Sequence, residues 1–436
     1  MTSGFGPDVD APVVLGGPPG GRTPIGLGAD VSLYVCGITP YDAAHVGHAF
    51  TYVAFDTLVR FLRARGHTVR YAQNVTDVDD DVLRRAARDD EDYLQLGQRE
   101  TASFLRDMDT LNIARPTYYP KATEEVAAMV ELVGELVAKG NAYEVDGTVF
   151  FDVSTFPSFG TLSGLDEAEQ VELLAERGGD PDDDRKRNRL DFILWQRSAP
   201  GEPSWPSPWG AGRPGWHTEC SAMARTHLGT TIDLHGGGAD LLYPHHESER
   251  AQSEAANGVT FARRWLHTGM VRYQGEKMSK SLGNLVFPRD LFRDHDPAAV
   301  RLALLAHHWR SQWEWDPAEL KEATERLSVW RGACGQLDPL GSPAGYPPVR
   351  GPHQPGVEAD ARPGAGAGPR SGAGVGARSG AGVGGRLPGE VDAALAADLD
   401  TPAALAVGDD LAERGDGPGV AATAAVLGVD LGPATG

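Results

Sequence analysis

Cys36 stands nine residues ahead of His45-Val46-Gly47-His48, and the short stretch from Cys36 to His48 joins two kinds of chemistry. A thiol can hold a soft metal ion. A His-x-Gly-His turn at the start of a helix suits a nucleotide phosphate, because unpaired N–H groups and a partial positive charge gather there. The two imidazoles add donors, and Gly47 lets a nucleotide approach the backbone. A chain that joins both features is expected to activate a substrate containing sulfur. Far downstream, Lys277-Met278-Ser279-Lys280-Ser281 precedes Leu282-Gly283-Asn284. Two lysines in a Ser/Gly-flanked loop can neutralise a departing pyrophosphate, where charge builds in the transition state.

These residues need elements to hold them. Val31 to Cys36 reads as a buried strand, Val46 to about Arg65 as a helix stopped by Gly66, and Thr68 to Gln73 as a second strand. Strand, helix, strand in that order is a βαβ unit and implies a parallel sheet. Asp79 to Ala87 looks helical, and the run Asp77 to Asp81 reads as the solvated start of that helix rather than a magnesium site. Thr123 is expected to cap a helix with Glu124 and Glu125 in its first turn. Val126, Met129, Val130, Val133 and Val137 line one face of it, and Gly140 ends it. Tyr143 to Phe151 reads as a hairpin around Asp146-Gly147. Thr231 to Leu234 is strand-like and enters His235-Gly236-Gly237-Gly238; Pro244 then opens a helix carrying His245, His246 and Glu249. Pro317 to Gly332 is a further amphipathic helix, and Val391 to about Ala412 a short helical segment.

The 436 residues can bury a sizeable core, and 41% hydrophobic with 23% charged residues is ordinary for a soluble protein. No apolar run reaches the ~18 residues of a membrane span, and Met1 to Asp30 is Gly/Pro-rich without the pattern of a signal peptide. Residues 1–30 are expected to be flexible. Three cysteines, Cys36, Cys220 and Cys334, argue against a disulfide framework and for a reducing cytoplasm. Cys334 is read as structural. The net charge of −21 disfavours nonspecific binding to polyanions, although a local basic patch can still take RNA. Residues 337–389 change to Gly, Pro, Ala and Arg, with Arg-Ser-Gly-Ala-Gly-Val-Gly twice, and are expected to form a disordered linker.

Together the His-x-Gly-His and Lys-Met-Ser-Lys-Ser motifs resemble the class I aminoacyl-tRNA synthetases. The resemblance extends to Cys36-Gly37-Ile38-Thr39, Asn74 to Asp80, Gly215-Trp216-His217-Thr218-Glu219-Cys220, and His235 to Glu247. These match the cysteine-activating branch over roughly residues 31–333, with a weaker echo from Asp398 to Ala406. The resemblance implies an α/β fold: a Rossmann-like catalytic domain with a parallel sheet over 31–290, a helical region over 291–336, and a small helical C-terminal region over 390–436. It implies one zinc ion that holds the substrate cysteine by its thiolate, with Cys36, Cys220 and His245 as ligands and Glu249, one helical turn after His245, as a possible fourth.

The resemblance also assigns roles around the nucleotide. His45 and His48 contact phosphates; Lys277 and Lys280 stabilise pyrophosphate. Cys36, Gly37, Ile38, Thr39, Thr51, Asn74, Val75, Thr76, Trp216, Gly238, Ala239, Asp240 and Val271 line the adenylate pocket. ATP, with Mg2+, and L-cysteine are the expected substrates. The branch uses two acceptors: tRNA in the cysteinyl-tRNA synthetases, and the amine of glucosaminyl-inositol in the mycothiol-pathway cysteine ligases. Ile38 to Ala43, the closing His48, Glu176 to Pro181 and the short stretch after Asp398 resemble the ligases. Glu249, His235 and Ser248 to Ser253 resemble the synthetases. The chain is read as a cytoplasmic, monomeric ligase for the sugar amine that uses no tRNA; a synthetase, or a relative acting on another amine, is the alternative.

Overall fold

The computed structural model describes residues 13–17, 21–278, 282–335 and 387–432. The expected linker falls, for residues 337–386, outside the described residues, as does Lys280.

A four-stranded parallel sheet lies at the centre, in the order β10-β9-β3-β4. Its strands are β3 (Asp30–Ile38), β4 (Thr68–Val75), β9 (Ile232–Gly238) and β10 (Ala262–Thr268). Residues Val31 to Cys36 of β3 are buried without interruption, as a strand covered on both faces requires. Ser32 and Asp233 fix the register of β3 against β9: Ser32 N and Oγ donate to Asp233 Oδ2 at 2.9 and 2.8 Å. Helix α1 (Val46–Ala64) crosses from β3 to β4, and Gly66, at φ 92°, supplies the left-handed turn that ends it. The βαβ unit therefore forms as expected.

One face of the sheet packs on α1, α9 (Pro297–Leu305) and α10 (Glu319–Gly335). The C-terminal helices α11 (Gly389–Ala396), α12 (Thr401–Glu413) and α13 (Gly417–Leu427) join the same core. Arg301, 1% exposed, anchors them: it donates to Asp56 Oδ2 at 2.5 Å and to Leu427 O at 2.7 Å. Cys334 packs against this core, with its Sγ 3.4 Å from Gly417 O. The opposite face carries α4 (Val126–Ala138), α6 (Trp216–Leu228) and α7 (Glu247–Asn257). Inserted beside them is an antiparallel sheet, β5 (Ala142–Val145), β6 (Thr148–Phe151), β7 (Phe192–Arg197) and β8 (Gly212–Pro214), flanked by α5 (Glu167–Glu176). The hairpin around Asp146-Gly147 is its first turn, with both residues at positive φ.

Three local expectations change. Val13–Gly17 (β1) and Gly21–Ile25 (β2), within the stretch expected to be flexible, pair as an antiparallel hairpin. Val13, Leu15 and Ile25 reach the main core, so three buried side chains outweigh a Gly/Pro-rich composition. Thr123 does not cap α4. It sits in a single 3-10 turn, and its N and Oγ1 donate to Asp77 at 2.9 and 2.7 Å. Consequently the Asp77 to Asp81 run is not fully solvated. Asp77 is buried and Asp79 half-buried, and desolvation raises both carboxyl pKa values, while Asp79 caps α2 (Asp80–Asp89) by accepting from Asp81 N. Helix α3 (Tyr93–Thr110) follows.

Candidate active site

Ligands in open α/β sheets bind beyond the carboxyl ends of the strands, where the strand order reverses. Here the chain steps from β3 to β4 on one side and from β9 to β10 on the other, so the reversal lies between β3 and β9. Cys36 is at the carboxyl end of β3. Cys220 comes from the second turn of α6, His245 from the helical turn that leads into α7, and Glu249 from the first turn of α7. Tyr243, extended at φ −139° and ψ 136°, precedes Pro244, as the proline ring demands, and the chain becomes helical after it.

The four side chains meet. Their ligand atoms all lie within 4.8 Å of one another. Cys36 Sγ is 3.8 Å from Cys220 Sγ and 3.4 Å from Glu249 Oε1, and His245 Nε2 is 3.0 Å from Glu249 Oε1. A tetrahedral ion bonding two sulfurs at about 2.3 Å separates them by about 3.8 Å, so the spacing fits. Two thiols, an imidazole and a carboxylate form a donor set suited to a borderline-soft cation. Burial and the neighbouring Cys220 push the Cys36 thiol up. Burial would raise Cys220 too, but hydrogen bonding to Cys36 and the nearby His245 bring it down to about 6. Burial would lower His245, yet Glu249 and Cys220 hold it up at about 10. Burial opposes ionisation of Glu249, but His235 and His245 keep its carboxyl well below the usual range. Trp216 stacks on the His245 ring at 4.4 Å between centroids.

The residues expected to face a nucleotide come next. His45 is the N-cap of α1, and its Nδ1 accepts from Gly47 N at 3.0 Å; His48 Nδ1 accepts in turn from His45 N at 3.3 Å. A ring nitrogen that accepts carries no proton, so both imidazoles keep their N–H on Nε2. Their rings, 4.1 Å apart, sit at a helix N-terminus as Nε2–H donors. Gly37 N donates to Asn74 Oδ1 at 2.8 Å, and Asn74 Nδ2 to Thr76 Oγ1 at 3.1 Å. A side chain at Gly37 would place its Cβ 1.6 Å from Asn74 O, so only glycine lets β3 and β4 approach so closely here. Thr51 Oγ1 meets Thr268 Oγ1 at 2.8 Å, joining α1 to the end of β10. Val46 N donates to Val286 O at 2.8 Å and ties the first motif to the segment after the second. Lys277 is exposed on a two-residue strand, β12 (Glu276–Lys277), which pairs with β11 (Val271–Tyr273) and sets Lys277 opposite Arg272, the residue after buried Val271. Next to it, Met278 is buried in the core.

Residues 25–325 match the family model of the tRNA synthetases class I (C) catalytic domain. The chain belongs to this family. Within it, the L-cysteine:1D-myo-inositol 2-amino-2-deoxy-alpha-D-glucopyranoside ligase of Acidothermus cellulolyticus is 53% identical over 73% of this chain and 79% of that protein. The same-named ligase of Streptosporangium roseum is 49% identical over 76% and 81%. Among solved structures, methionyl-tRNA synthetase of Mycobacterium tuberculosis bound by methionyl-adenylate superposes with a TM-score of 0.55 at 22% identity, over 70% of each chain. That likeness places the chain in the class I synthetase fold.

In this class I synthetase (C) domain, the residues expected from sequence fall into separate groups. Cys36, Cys220, His245 and Glu249 converge, and Gly37, Asn74 and Thr76 form one hydrogen-bonded set. Ile38 and Val75 are buried partners in the β3–β4 register, while Thr39 is half-buried beyond it. Gly238 ends β9; Ala239 is exposed after it, and the Asp240 carbonyl accepts from Arg177. That contact brings Glu176 to Pro181 to the edge of the site. Sequence reading gave no site role to four histidines around the cluster, naming His217, His235 and His246 only within motifs and His267 not at all. His235 Nε2 lies 3.0 Å from Glu249 Oε2, His246 Nε2 3.4 Å from Cys36 Sγ, His267 Nε2 2.7 Å from His246 Nδ1, and His217 Nδ1 2.9 Å from His245 Nδ1. The clue was the His245-His246 pair and the position of His235 at a strand end, although nothing in their spacing says which ring turns inward.

Among the described residues, no helix is long and apolar enough to cross a membrane.

Proposed function

We propose that the chain is an AMP-forming, carbon–nitrogen bond-forming ligase that activates L-cysteine with ATP and joins it to the amine of glucosaminyl-inositol. The observation that carries this reading is the convergence of Cys36, Cys220, His245 and Glu249 in a chain whose His45 and His48 start α1. The relatives at about half identity, named for this ligation, supply the acceptor. Zinc held by the four residues would bind the substrate thiol as thiolate and discriminate against serine, which differs by one atom. Pocket shape alone gives only about 10–200-fold discrimination for so small a difference.

In the first step an oxygen of the cysteine carboxylate attacks the α-phosphorus of ATP, which enters with Mg2+, and pyrophosphate leaves. His45 and His48 donate from Nε2 to the phosphates, and Lys277 with Lys280 offsets the charge on the leaving group. The Asn74–Gly37–Thr76 set holds the turn after Cys36 rigid, which fixes the carboxylate relative to the sulfur site. In the second step the sugar amine attacks the acyl carbon, the amide forms, AMP leaves, and the amine loses a proton. We place this activity in the cytoplasm, on a monomer, without tRNA.

The test supplies the full chain with ATP, cysteine and either glucosaminyl-inositol or tRNA. Amide formation with the sugar amine and AMP release support the ligase; charging of tRNA without amide formation overturns it.

A further inference from the structure

The buried cluster contains more donors than one ion needs. Besides the four residues already described, Cys36, His235, His246 and Glu249 also bring one ligand atom each within 4.8 Å of one another. The two sets share Cys36 and Glu249, and the carboxylate is divided between them. Its Oε1 faces His245 Nε2 at 3.0 Å, and its Oε2 faces His235 Nε2 at the same distance. His246 Nε2 points at Cys36 Sγ from 3.4 Å, while its other nitrogen is held by His267 Nε2 at 2.7 Å. Such an outer partner fixes the orientation of a metal-binding imidazole. The stacked Trp265, 4.5 Å from His235 between ring centroids, fixes the other ring. All four donors are buried, and His235 Nδ1 has no hydrogen-bond partner.

From this division we infer that Cys36, His235, His246 and Glu249 form a second cation position, for a borderline-soft divalent ion such as zinc or cadmium. It rests on the reading of the first set as a metal centre. Thiolates and carboxylates both bridge metal ions, so Cys36 Sγ and the two oxygens of Glu249 can serve both positions without rearranging the backbone. The sulfur count separates them. The first position has two thiolates and one imidazole; the second has one thiolate and two imidazoles. A second ion would draw on the lone pairs of Cys36 and Glu249, weakening their hold on the first. Excess zinc should therefore inhibit cysteine activation through this second position.

The experiment uses the full chain, stripped with a chelator and reloaded with cadmium-113. Two resonances are expected in the native protein, with the one from the sulfur-poorer position further upfield. His246→Ala, and separately the milder His235→Gln, should remove the upfield resonance and keep the other. Equilibrium dialysis against zinc should give two ions per native chain and one per variant. A single resonance and a single ion in the native protein overturn the second position and leave the first standing. No bound ion at all overturns both. The native protein alone decides the matter, so a variant that fails to fold does not blunt the test.

Discussion

The sulfur atoms of Cys36 and Cys220 stand 3.8 Å apart although 184 residues separate them in the chain. One ends a central strand and the other sits on a helix packed over the sheet, so their meeting depends on the whole α/β layer. Cys220→Ser replaces a thiolate donor with a hydroxyl. Loss of merely an outer partner costs about 10–100-fold in metal affinity, so this change should cost at least about 100-fold. Zinc retained after dialysis, and cysteine-dependent ATP–pyrophosphate exchange, should fall together. Full exchange in a zinc-free Cys220→Ser protein would falsify the assignment.

Metal binding should expel protons. At neutral pH the ion-free cluster holds one on Cys36, raised by burial, and one on His245, held up at about 10, while Cys220 near 6 and Glu249 are already ionised. Ligands bind zinc in their deprotonated forms. Between about pH 7 and 8 the apparent zinc affinity should therefore rise about 100-fold per pH unit, corresponding to two released protons. Chelator competition across this range measures the slope; a flat profile would mean that these two residues are not ligands.

His45 caps the helix, and the proposed function also gives it the phosphates; two substitutions separate the roles. His45→Ala removes the acceptor for Gly47 N and should destabilise the protein by about 1 kcal/mol. His45→Asn keeps an acceptor at the cap, so urea unfolding should return close to the native midpoint. Both lack the Nε2–H donor and should lose about 100- to 1000-fold in exchange rate. Recovery of the rate along with the stability would show that His45 acts only as a cap.

The Asp56–Arg301 pair should make stability pH-dependent. Burial opposes ionisation of Asp56, but Arg60 and Arg301 hold its carboxyl below 3.8. A depressed folded pKa contributes stability that is present above the unfolded value and lost as pH falls through the folded one. The loss therefore belongs below about pH 4. Asp56→Asn leaves Arg301 buried without its counter-charge and should cost about 3–5 kcal/mol. Chemical unfolding from pH 2 to 7 should show a weaker acid dependence in the variant, which lacks the titrating group. An unchanged dependence would assign the acid sensitivity elsewhere.

Gly37→Ala should be far more damaging than a lone methyl in open space. Its Cβ meets the Asn74 carbonyl oxygen at 1.6 Å, and a backbone atom cannot swing aside as a side chain can. We expect a lowered melting temperature together with reduced zinc content, because Cys36 is the preceding residue. Normal zinc content with normal stability would mean that the β3–β4 approach is looser than described.

Sequence alone determined the parts whose signal is local. Apolar runs and Gly66 marked β3, α1 and β4, and the spacing of His45 and His48 marked a helix start, because each depends on residues within a turn or two. The family resemblance then pointed to Cys36, Cys220, His245 and Glu249. Tertiary structure decided what local pattern leaves open. It showed that Glu249 turns its two oxygens to different histidines, and that His235 and His246 join the same buried cluster as Cys36. It also paired β1 with β2 in a segment whose composition suggested no order, since Val13, Leu15 and Ile25 are buried only against distant residues. Which way a buried ring or carboxylate points is set by packing from every side, and neighbours hundreds of residues away carry no local mark of it.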